Sequence, residues 1–260
     1  LARSSRRLDE LRNSLKGLRD MERLATQLSY NRSGGRDLVA IGLALERMPR
    51  LKALCMEVDD SLLSTLSEDL DVLEMMRIDI QANLNDEQPL SLRDGGLIRE
   101  GIDAKLDELR KAAALGHKWF KDLEVKERAR LDIPSLKVRH NRQIGWYIEV
   151  TKTHLSKVPE DWNRRQQMTN GNRYVTEELV EWQDKLVTAA TKANAIEYDM
   201  FRDLRDRCRE KSRTLGMISS NVAQIDVLQC FAEIARNRSW TRPTIFEDER
   251  LVAKGLRHPV

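Results

Sequence analysis

Residues 132–175 differ in pattern from the sequence on both sides of them. Apolar and polar side chains alternate with period two through 136–140 and again through 144–150, which is typical of half-buried β-strands. Residues 141–143, Asn-Arg-Gln, connect the two runs, so we expect a β-hairpin. Long segments with helical periodicity flank this region. A chain of this kind must therefore carry a small β module between helices.

A second hairpin is predicted in the same segment. Polar residues from Arg164 to Thr169 lead into Asn170-Gly171 and then into residues 172–175. Asn-Gly favours a tight hairpin turn because both residues tolerate a positive φ. We therefore expect the tip of the second hairpin at Asn170-Gly171.

Positive charge is concentrated in the β segment. Residues 132–175 hold eight basic and four acidic side chains, a net charge of 8 − 4 = +4, whereas the whole chain is +3. The basic residues are Lys137, Arg139, Arg142, Lys152, Lys157, Arg164, Arg165 and Arg173. Arginines interspersed with Asn, Gln and Thr around turns suit contact with phosphate groups. A solvated basic surface without a ligand is the alternative interpretation.

Helical periodicity dominates the region before the β segment. Leucines and other apolar residues recur at steps of three and four, which predicts short packed helices. The stripes are Leu11, Leu15, Leu18, Met21, Leu24 and Leu28, then Leu38, Ile41, Leu45 and Met48 before Pro49, then Leu62, Leu63, Leu66, Leu70 and Leu73. Ser33-Gly34-Gly35 is interpreted as a turn between helices and not as a phosphate-binding loop.

Two longer helical segments border the β module. The first is predicted from about Ile98 to Leu131, a rod on the order of 50 Å. The second has a coiled-coil seam with steps of three and four, formed by Leu179, Trp182, Leu186, Ala189, Ala193, Ile196 and Met200. Paired antiparallel, the two helices would hold the module at their far end. The predicted fold class is mainly α: a helical core bundle, a long antiparallel helical lever arm and a small β-rich clamp at its tip.

Composition bounds the possible functions. The chain has 260 residues, 33% charged, 40% hydrophobic and 5% aromatic, as expected of a soluble helix-rich protein with one or two domains. No apolar run approaches a membrane span, so we expect no membrane contact and a cytoplasmic location. Cys55, Cys208 and Cys230 are predicted to be buried reduced thiols. We find no nucleophile and base pair, metal-ligand set or phosphate loop, so no catalytic or metal site is predicted.

Several motifs, in order along nearly the whole chain, resemble the core, lever and clamp of the DNA mismatch-repair ATPase family MutS. Those that resemble the core and lever are Arg19-Asp20-Met21-Glu22-Arg23-Leu24, Asn31-Arg32, Arg36-Asp37-Leu38, residues 92–98 and residues 103–109. Those that resemble the clamp are residues 133–139, Gly145-Trp146-Tyr147-Ile148-Glu149-Val150-Thr151, Arg164-Arg165-Gln166, Asn170, Arg173-Tyr174 and Glu177-Glu178-Leu179.

The resemblance implies specific DNA-contacting residues in the clamp. It assigns backbone contacts to Arg165 and Asn170, and also to Arg164, Thr169 and Arg173. The family often has Lys where this chain has Thr169, so one phosphate-facing charge is absent from that position. Arg164 as a solvated strand residue and Arg173 as a strand-pairing residue are the alternatives.

The resemblance also implies a domain division. It predicts a helical core over 1–96, a lever helix over 97–131, the clamp over 132–175, a returning lever helix with core helices over 176–245, and the start of a truncated ATPase domain over 246–260, where 255–260 resembles its first strand. Neither a Walker A loop nor a mismatch-reading Phe-X-Glu motif in its family context occurs. The chain is therefore expected to be a fragment without cofactor or ATPase site, and the parent an ATPase that uses ATP and Mg.

The predicted function is binding of double-stranded DNA through its backbone, without sequence preference. The parent is expected to be a homodimer that works with repair partners such as MutL, located in the cytoplasm, or in the nucleus if it is eukaryotic. One alternative is a structural helical arm that mediates protein contacts. Another is a MutS homologue that acts in recombination and not in repair.

Overall fold

The computed structural model describes residues 5–141 and 143–255. Within them the chain forms eight α-helices and one four-stranded antiparallel sheet, which confirms the predicted fold class. The helices are α1 Ser5–Leu15, α2 Met21–Ser29, α3 Gly35–Met56, α4 Ser61–Ser67, α5 Glu74–Asn83, α6 Ala104–Leu131, α7 Glu177–Arg209 and α8 Ser212–Asn237. The strands are β1 Lys137–Asn141, β2 Gly145–Thr151, β3 Asn163–Met168 and β4 Gly171–Val175, with a 3₁₀ helix at Lys152–Lys157 between β2 and β3.

The first leucine stripe is divided between two helices. α1 ends at Leu15, Gly17 has a φ of +80°, and α2 begins after Asp20. The Asp20 carboxylate accepts a hydrogen bond from the Arg23 amide at 2.9 Å, which caps the new helix. Apolar spacing alone did not reveal this break.

The predicted helix–helix turn at Gly34-Gly35 is confirmed. α2 ends at Ser29 and α3 begins at Gly35, with Gly34 at the N-cap position. The side chain of Asp37 accepts a hydrogen bond from the Gly34 amide at 3.0 Å. This bond satisfies a backbone donor that the first turn of a helix leaves without a partner.

Helix α3 continues through Pro49, whereas the predicted apolar stripe ends at Met48. Proline lacks an amide hydrogen, so the carbonyl of Leu45 loses its helical partner. Pro49 lies on the exposed side of the helix, and Leu51 and Leu54 continue the buried face beyond it. Burial of those leucines offsets the cost of the missing hydrogen bond.

Helix α6 begins at Ala104 and not at the predicted Ile98. Gly101 has a φ of +88°, and Asp103 caps the helix by accepting from the Leu106 amide at 2.7 Å. Ile98 instead pairs with Leu84 in an isolated antiparallel bridge. The 28 residues of α6 make a rod of about 42 Å rather than about 50 Å.

Helices α6 and α7 pair antiparallel, as predicted. Gly116 of α6 lies against Leu186, where an added Cβ would come within 2.9 Å of a leucine methyl carbon. One turn further along α6, Trp119 stacks on Trp182 with ring centroids 5.1 Å apart. Higher residue numbers along α6 thus contact lower residue numbers along α7, which is the pattern of an antiparallel pair. Trp182 is a seam residue, as predicted, and Trp119 of α6 lies opposite it.

A buried carboxylate joins this arm to the helical body. Glu197 of α7 is only 2% exposed and accepts a hydrogen bond from the Leu97 amide at 2.6 Å. It also pairs with Arg110 of α6 at 2.9 Å, and the same guanidinium donates to the Ile98 carbonyl at 2.6 Å. Both arm helices and the 84–99 loop are therefore fastened at one point.

The described residues form two separate apolar cores. The larger one lies in the body, among α1 to α5, α8, the 84–99 loop, the start of α6 and the carboxyl-terminal part of α7. The smaller one lies between the far end of the arm and the sheet, and contains Phe120, Ile148, Tyr174 and Leu179. The sheet therefore has a core of its own, connected to the body by the two arm helices.

The sheet has the strand order β1-β2-β4-β3. Its first hairpin is confirmed, with Asn141 of β1 opposite Gly145 of β2. Arg142, in the predicted connection, lies outside the described residues, as does 256–260 of the predicted ATPase strand. Gly255 and the residues from 246 onward that are described form no helix or strand.

The cysteine prediction was correct for two of the three thiols. Cys55 and Cys208 are buried and free, whereas Cys230 is exposed on α8. Helix α8 has apolar residues on both its buried and its exposed side, so position within an apolar pattern did not determine burial there.

Candidate nucleic-acid interface

The sheet is oriented along the arm. At the start of β2, the Trp146 amide donates to the side chain of Gln183 in α7 at 2.7 Å. At the end of β2, the hydroxyl of Thr151 is 2.8 Å from that of Ser135, which follows the end of α6. The turn between β1 and β2 therefore faces back toward the body, and the turn between β3 and β4 lies at the distal end.

The two edges of the sheet differ in how they are covered. At the β1 edge, the Val138 amide donates to the Glu124 carboxylate of α6 at 2.7 Å. Arg128 of α6 donates to the Leu136 carbonyl at 2.6 Å. At the other edge, all six residues of β3 are exposed. Only the β3 edge therefore leaves a whole strand accessible to a large ligand.

Arg165 occupies a β-bulge on this open edge. Arg164 pairs with Tyr174, and Gln166 pairs with Arg173, so Arg165 is the additional residue between them. A bulge bends its strand and changes the direction of the side chains there. Neither Arg164 nor Arg165 forms an ion pair with any residue in the described part of the chain. Both guanidinium groups are thus available to an external anion.

The tip of the second hairpin is displaced by one residue from the prediction. Met168 pairs with Gly171, so Thr169 and Asn170 form the turn and Gly171 is the first residue of β4. Neither Thr169 nor Asn170, both of them described, has a positive φ. The interpretation of Asn-Gly as the two turn residues was therefore wrong.

Gly171 is needed for a different reason. A Cβ atom at this position would lie 2.3 Å from the Val150 carbonyl oxygen and 3.1 Å from Thr151 Cα. Glycine here allows the backbones of β2 and β4 to approach each other. The Asn170 carbonyl then accepts a hydrogen bond from the Lys152 amide at 3.0 Å, which holds the tip against the end of β2.

Arg173 is engaged within the sheet. Its guanidinium donates to Gln166 Oε1 at 2.8 Å and pairs with Glu149 at 3.5 Å. It also lies 4.5 Å from the centroid of the Tyr147 ring, and Tyr147 is buried although the strand alternation placed it on the polar side. These contacts favour the strand-pairing interpretation of Arg173 over phosphate contact.

The remaining basic residues of the clamp are not equivalent. Lys157 donates to the Asp132 carboxylate at 2.9 Å, and this bond holds the pKa of the Asp132 carboxyl below its usual range. Lys137 and Arg139 are exposed on β1, at the covered edge. Lys152 is exposed beside the distal turn. It was not among the predicted contact residues, although its place directly after β2 was visible in the sequence.

Acidic side chains lie at the inner end of the sheet. Asp161, Glu177 and Glu178 line a cavity of about 430 Å³ there, together with Lys126 and Arg130 of α6. Residues 150–159 and 162–176 contain neither Asp nor Glu. From Trp162 to Thr176, β3, the distal turn and β4 therefore carry basic side chains and no acidic ones.

Comparison with known proteins identifies the class of domain. Residues 101–192 match the model of MutS family domain IV. This span includes all of α6, the whole sheet and the first half of α7, and is wider than the predicted clamp at 132–175. These residues are therefore a MutS-type domain IV.

Relatives that match nearly the whole chain are named DNA mismatch repair protein MutS. The chain is 39% identical to the MutS protein of Salinibacter ruber over 255 residues. The match covers 97% of this chain and 28% of the relative. It is 35% identical to the MutS protein of Lachnoclostridium phytofermentans over 252 residues, which cover 97% of this chain and 27% of the relative. It is 38% identical to the MutS protein of Methanosarcina barkeri over 255 residues, which cover 96% of this chain and 28% of the relative.

The resemblance to the MutS family is therefore confirmed. The chain spans somewhat more than a quarter of the length of these relatives. Among the described residues, no helix is long and apolar enough to cross a membrane. The same residues contain no group of three or more His, Cys, Asp or Glu side chains placed to hold a metal ion.

Proposed function

We propose that this chain binds double-stranded DNA through phosphate contacts made by the clamp, without reading base sequence. The observation that carries the proposal is the open β3 edge, where Arg164 and Arg165 are exposed, adjacent to a bulge, and free of ion pairs with other described residues. The names of the three relatives and the match to domain IV support a role in DNA mismatch repair.

Charge and geometry favour a phosphate ligand. Guanidinium groups donate paired hydrogen bonds to phosphate oxygens, and each neutralised phosphate releases condensed counterions. Asn170 and Thr169 add neutral donors at the distal turn, which is exposed. Such contacts position a protein on the duplex but carry no sequence information. We assign the contacts to Arg165, Arg164, Asn170 and Thr169, and regard Arg173 as support for the strand that presents them.

For the arm we propose the role of a lever. The division into a core over 1–96, a lever helix over 97–131, a clamp over 132–175 and returning helices over 176–245 fits the two apolar cores and the Glu197 junction between them. A displacement of the body at this junction would be carried along α6 and α7 to the sheet. The clamp would then open or close around DNA as a rigid unit.

For the larger protein we propose a MutS-type ATPase that uses ATP and Mg, acts as a homodimer and cooperates with repair partners such as MutL. Residues 246–260 would begin its ATPase domain. A role in recombination is the alternative, and a mismatch-reading motif in the parent's sequence would decide between the two.

The test is the salt dependence of duplex binding. Arg165→Ala should weaken binding about eightfold at ~0.1 M salt and make the slope of log affinity against log salt shallower by about 0.9, because one phosphate contact is lost. Asn170→Ala should weaken binding with little change of slope, since a neutral amide displaces no counterion. Fluorescence anisotropy with a labelled duplex measures both quantities.

Lys111→Ala is the control, because Lys111 is exposed on α6, far from the distal turn. Circular dichroism should confirm that every variant is folded. If Arg165→Ala and Lys111→Ala have the same affinity and slope, the β3 edge does not contact DNA. A structural arm that binds an acidic protein then becomes the better explanation.

A further inference from the structure

We infer that Lys152 is a further phosphate-binding residue, which supplies the distal turn with the positive charge that the turn itself lacks. The inference rests on the proposed function and extends it from the β3 edge to the end of β2.

Backbone pairing places Lys152 beside the turn. Thr151 is opposite Gly171 in the β2–β4 register, and the next pair is joined by the hydrogen bond from the Lys152 amide to the Asn170 carbonyl at 3.0 Å. The main chain of Lys152 is therefore fixed against Asn170. Its side chain is exposed. An ammonium on this backbone can reach the same ligand as the Asn170 amide.

The charge of Lys152 is uncompensated. It forms no ion pair with any residue that the structure describes, in contrast to Lys157 on the same 3₁₀ helix, which is paired with Asp132. The four residues of the turn region, Met168 to Gly171, carry no charge of their own, and no carboxylate occurs within 150–159 or 162–176. Lys152 thus places an uncompensated positive charge beside the uncharged distal turn.

The donors around Lys152 suit a phosphodiester. Thr153 and Thr169 contribute exposed hydroxyl groups, and Asn170 contributes an exposed amide. From the bulge at Arg165 to Thr169 is a distance of about 13 Å, at roughly 3.3 Å per strand residue. Phosphates of one DNA strand follow one another every ~3.4 Å along the axis. Arg165 and Lys152 can therefore engage different phosphates of one duplex.

The experiment measures duplex binding by the full chain across a range of salt concentrations. Lys152→Thr should weaken binding about eightfold at ~0.1 M salt and reduce the salt slope by about 0.9, as expected for one lost phosphate contact. Lys157→Thr on the same 3₁₀ helix is the matched control. Because Lys157 is already paired with Asp132, its removal should change the slope much less.

A charge relocation decides whether the position of the charge matters. Adding Thr169→Lys to Lys152→Thr moves the lysine across the turn, and should recover most of the lost affinity and slope. Failure of the relocated lysine to recover them would overturn the inference, as would a Lys152→Thr variant that behaves like the Lys157→Thr control. If Arg165→Ala still weakens binding in that case, the proposed function stands. If neither residue matters, both proposals fail.

Discussion

Gly171 is required because the backbones of β2 and β4 leave no space for a Cβ atom, and not because of the turn geometry. Gly171→Ala places a methyl group 2.3 Å from the Val150 carbonyl oxygen. Because backbone must move to accommodate it, we expect the variant to lose about 1–3 kcal/mol of stability. Urea unfolding followed by tryptophan fluorescence measures this, since four of the five tryptophans lie in or against the clamp core.

Gly216→Ala provides the control for that prediction. No atom lies within 4 Å of a Cβ built at Gly216, in the interior of α8. Alanine there should stabilise the protein by about 0.5–1 kcal/mol, because glycine is the poorer helix former. Equal effects of the two substitutions would show that the close approach of β2 and β4 is not what requires Gly171.

The thiols give a second prediction for individual residues, with a defined pH dependence. Burial raises the pKa of Cys55 to about 11 and that of Cys208 to about 12. An unfolded thiol ionises near ~8.5. The stabilisation from keeping these thiols neutral is therefore complete below that pH, and is lost as the pH rises toward 11.

At pH 8, a thiol-specific disulfide reagent should react rapidly with Cys230 and slowly with the other two cysteines of the folded chain. All three should react rapidly in urea. Cys230→Ser should abolish the rapid reaction of the folded protein. Persistence of a rapid phase in that variant would contradict the burial of Cys55 and Cys208.

At the scale of the elements, a buried ion pair and three hydrogen bonds to backbone groups join α6, α7 and the 84–99 loop. Glu197→Gln keeps the side-chain shape but replaces one acceptor oxygen with a donor, which would face the Leu97 amide or the Arg110 guanidinium. We expect a loss of about 3 kcal/mol, the lower end for a broken buried ion pair, because Arg110 is partly exposed. Urea unfolding followed by circular dichroism measures the loss.

Glu181→Gln on the same helix is the matched control. Glu181 and Lys185 are both exposed and 3.9 Å apart, so that pair should contribute less than about 0.5 kcal/mol. If the two glutamine variants are equally stable, the Glu197 junction does not hold the arm to the body, and the lever proposal loses its mechanical basis.

At the scale of the whole molecule, all the proposed contacts go to phosphate. Matched and G·T-mismatched duplexes should therefore bind with equal affinity, with a dissociation constant of about 10⁻⁴ to 10⁻⁶ M at physiological salt. Competition anisotropy with the two duplexes measures the ratio. A reproducible preference for the mismatch would require a base-reading group in this chain.

Much of this architecture could be predicted from sequence. The steps of three and four in α7 and the alternation in β2 are local patterns, and each depends only on which side of one element is buried. The seam pattern of α7 likewise predicted the position of Trp182, which stacks on Trp119 of α6. The clustering of basic residues in one segment also indicated that the β module carries positive charge.

Contacts between distant segments decided the rest. Helix α6 begins at Ala104 because Glu197, a hundred residues from Leu97, holds the preceding loop in another conformation. The hairpin turn lies one residue earlier than predicted because Gly171 must face the Val150 carbonyl on β2. The periodicity of one segment contains no information about a contact with Glu197 or Val150, which lie in other segments.

The same distinction applies to the candidate site. Sequence alone determined that Arg164, Arg165 and Arg173 lie in a basic β module carried between two long helices. Tertiary structure decided that the first two remain open at an uncovered edge while Arg173 is neutralised by Glu149 from the adjacent strand. It also brought Lys152 next to Asn170. The physical reason is that exposure and charge compensation depend on which strands are neighbours, and strand order is a property of the folded sheet.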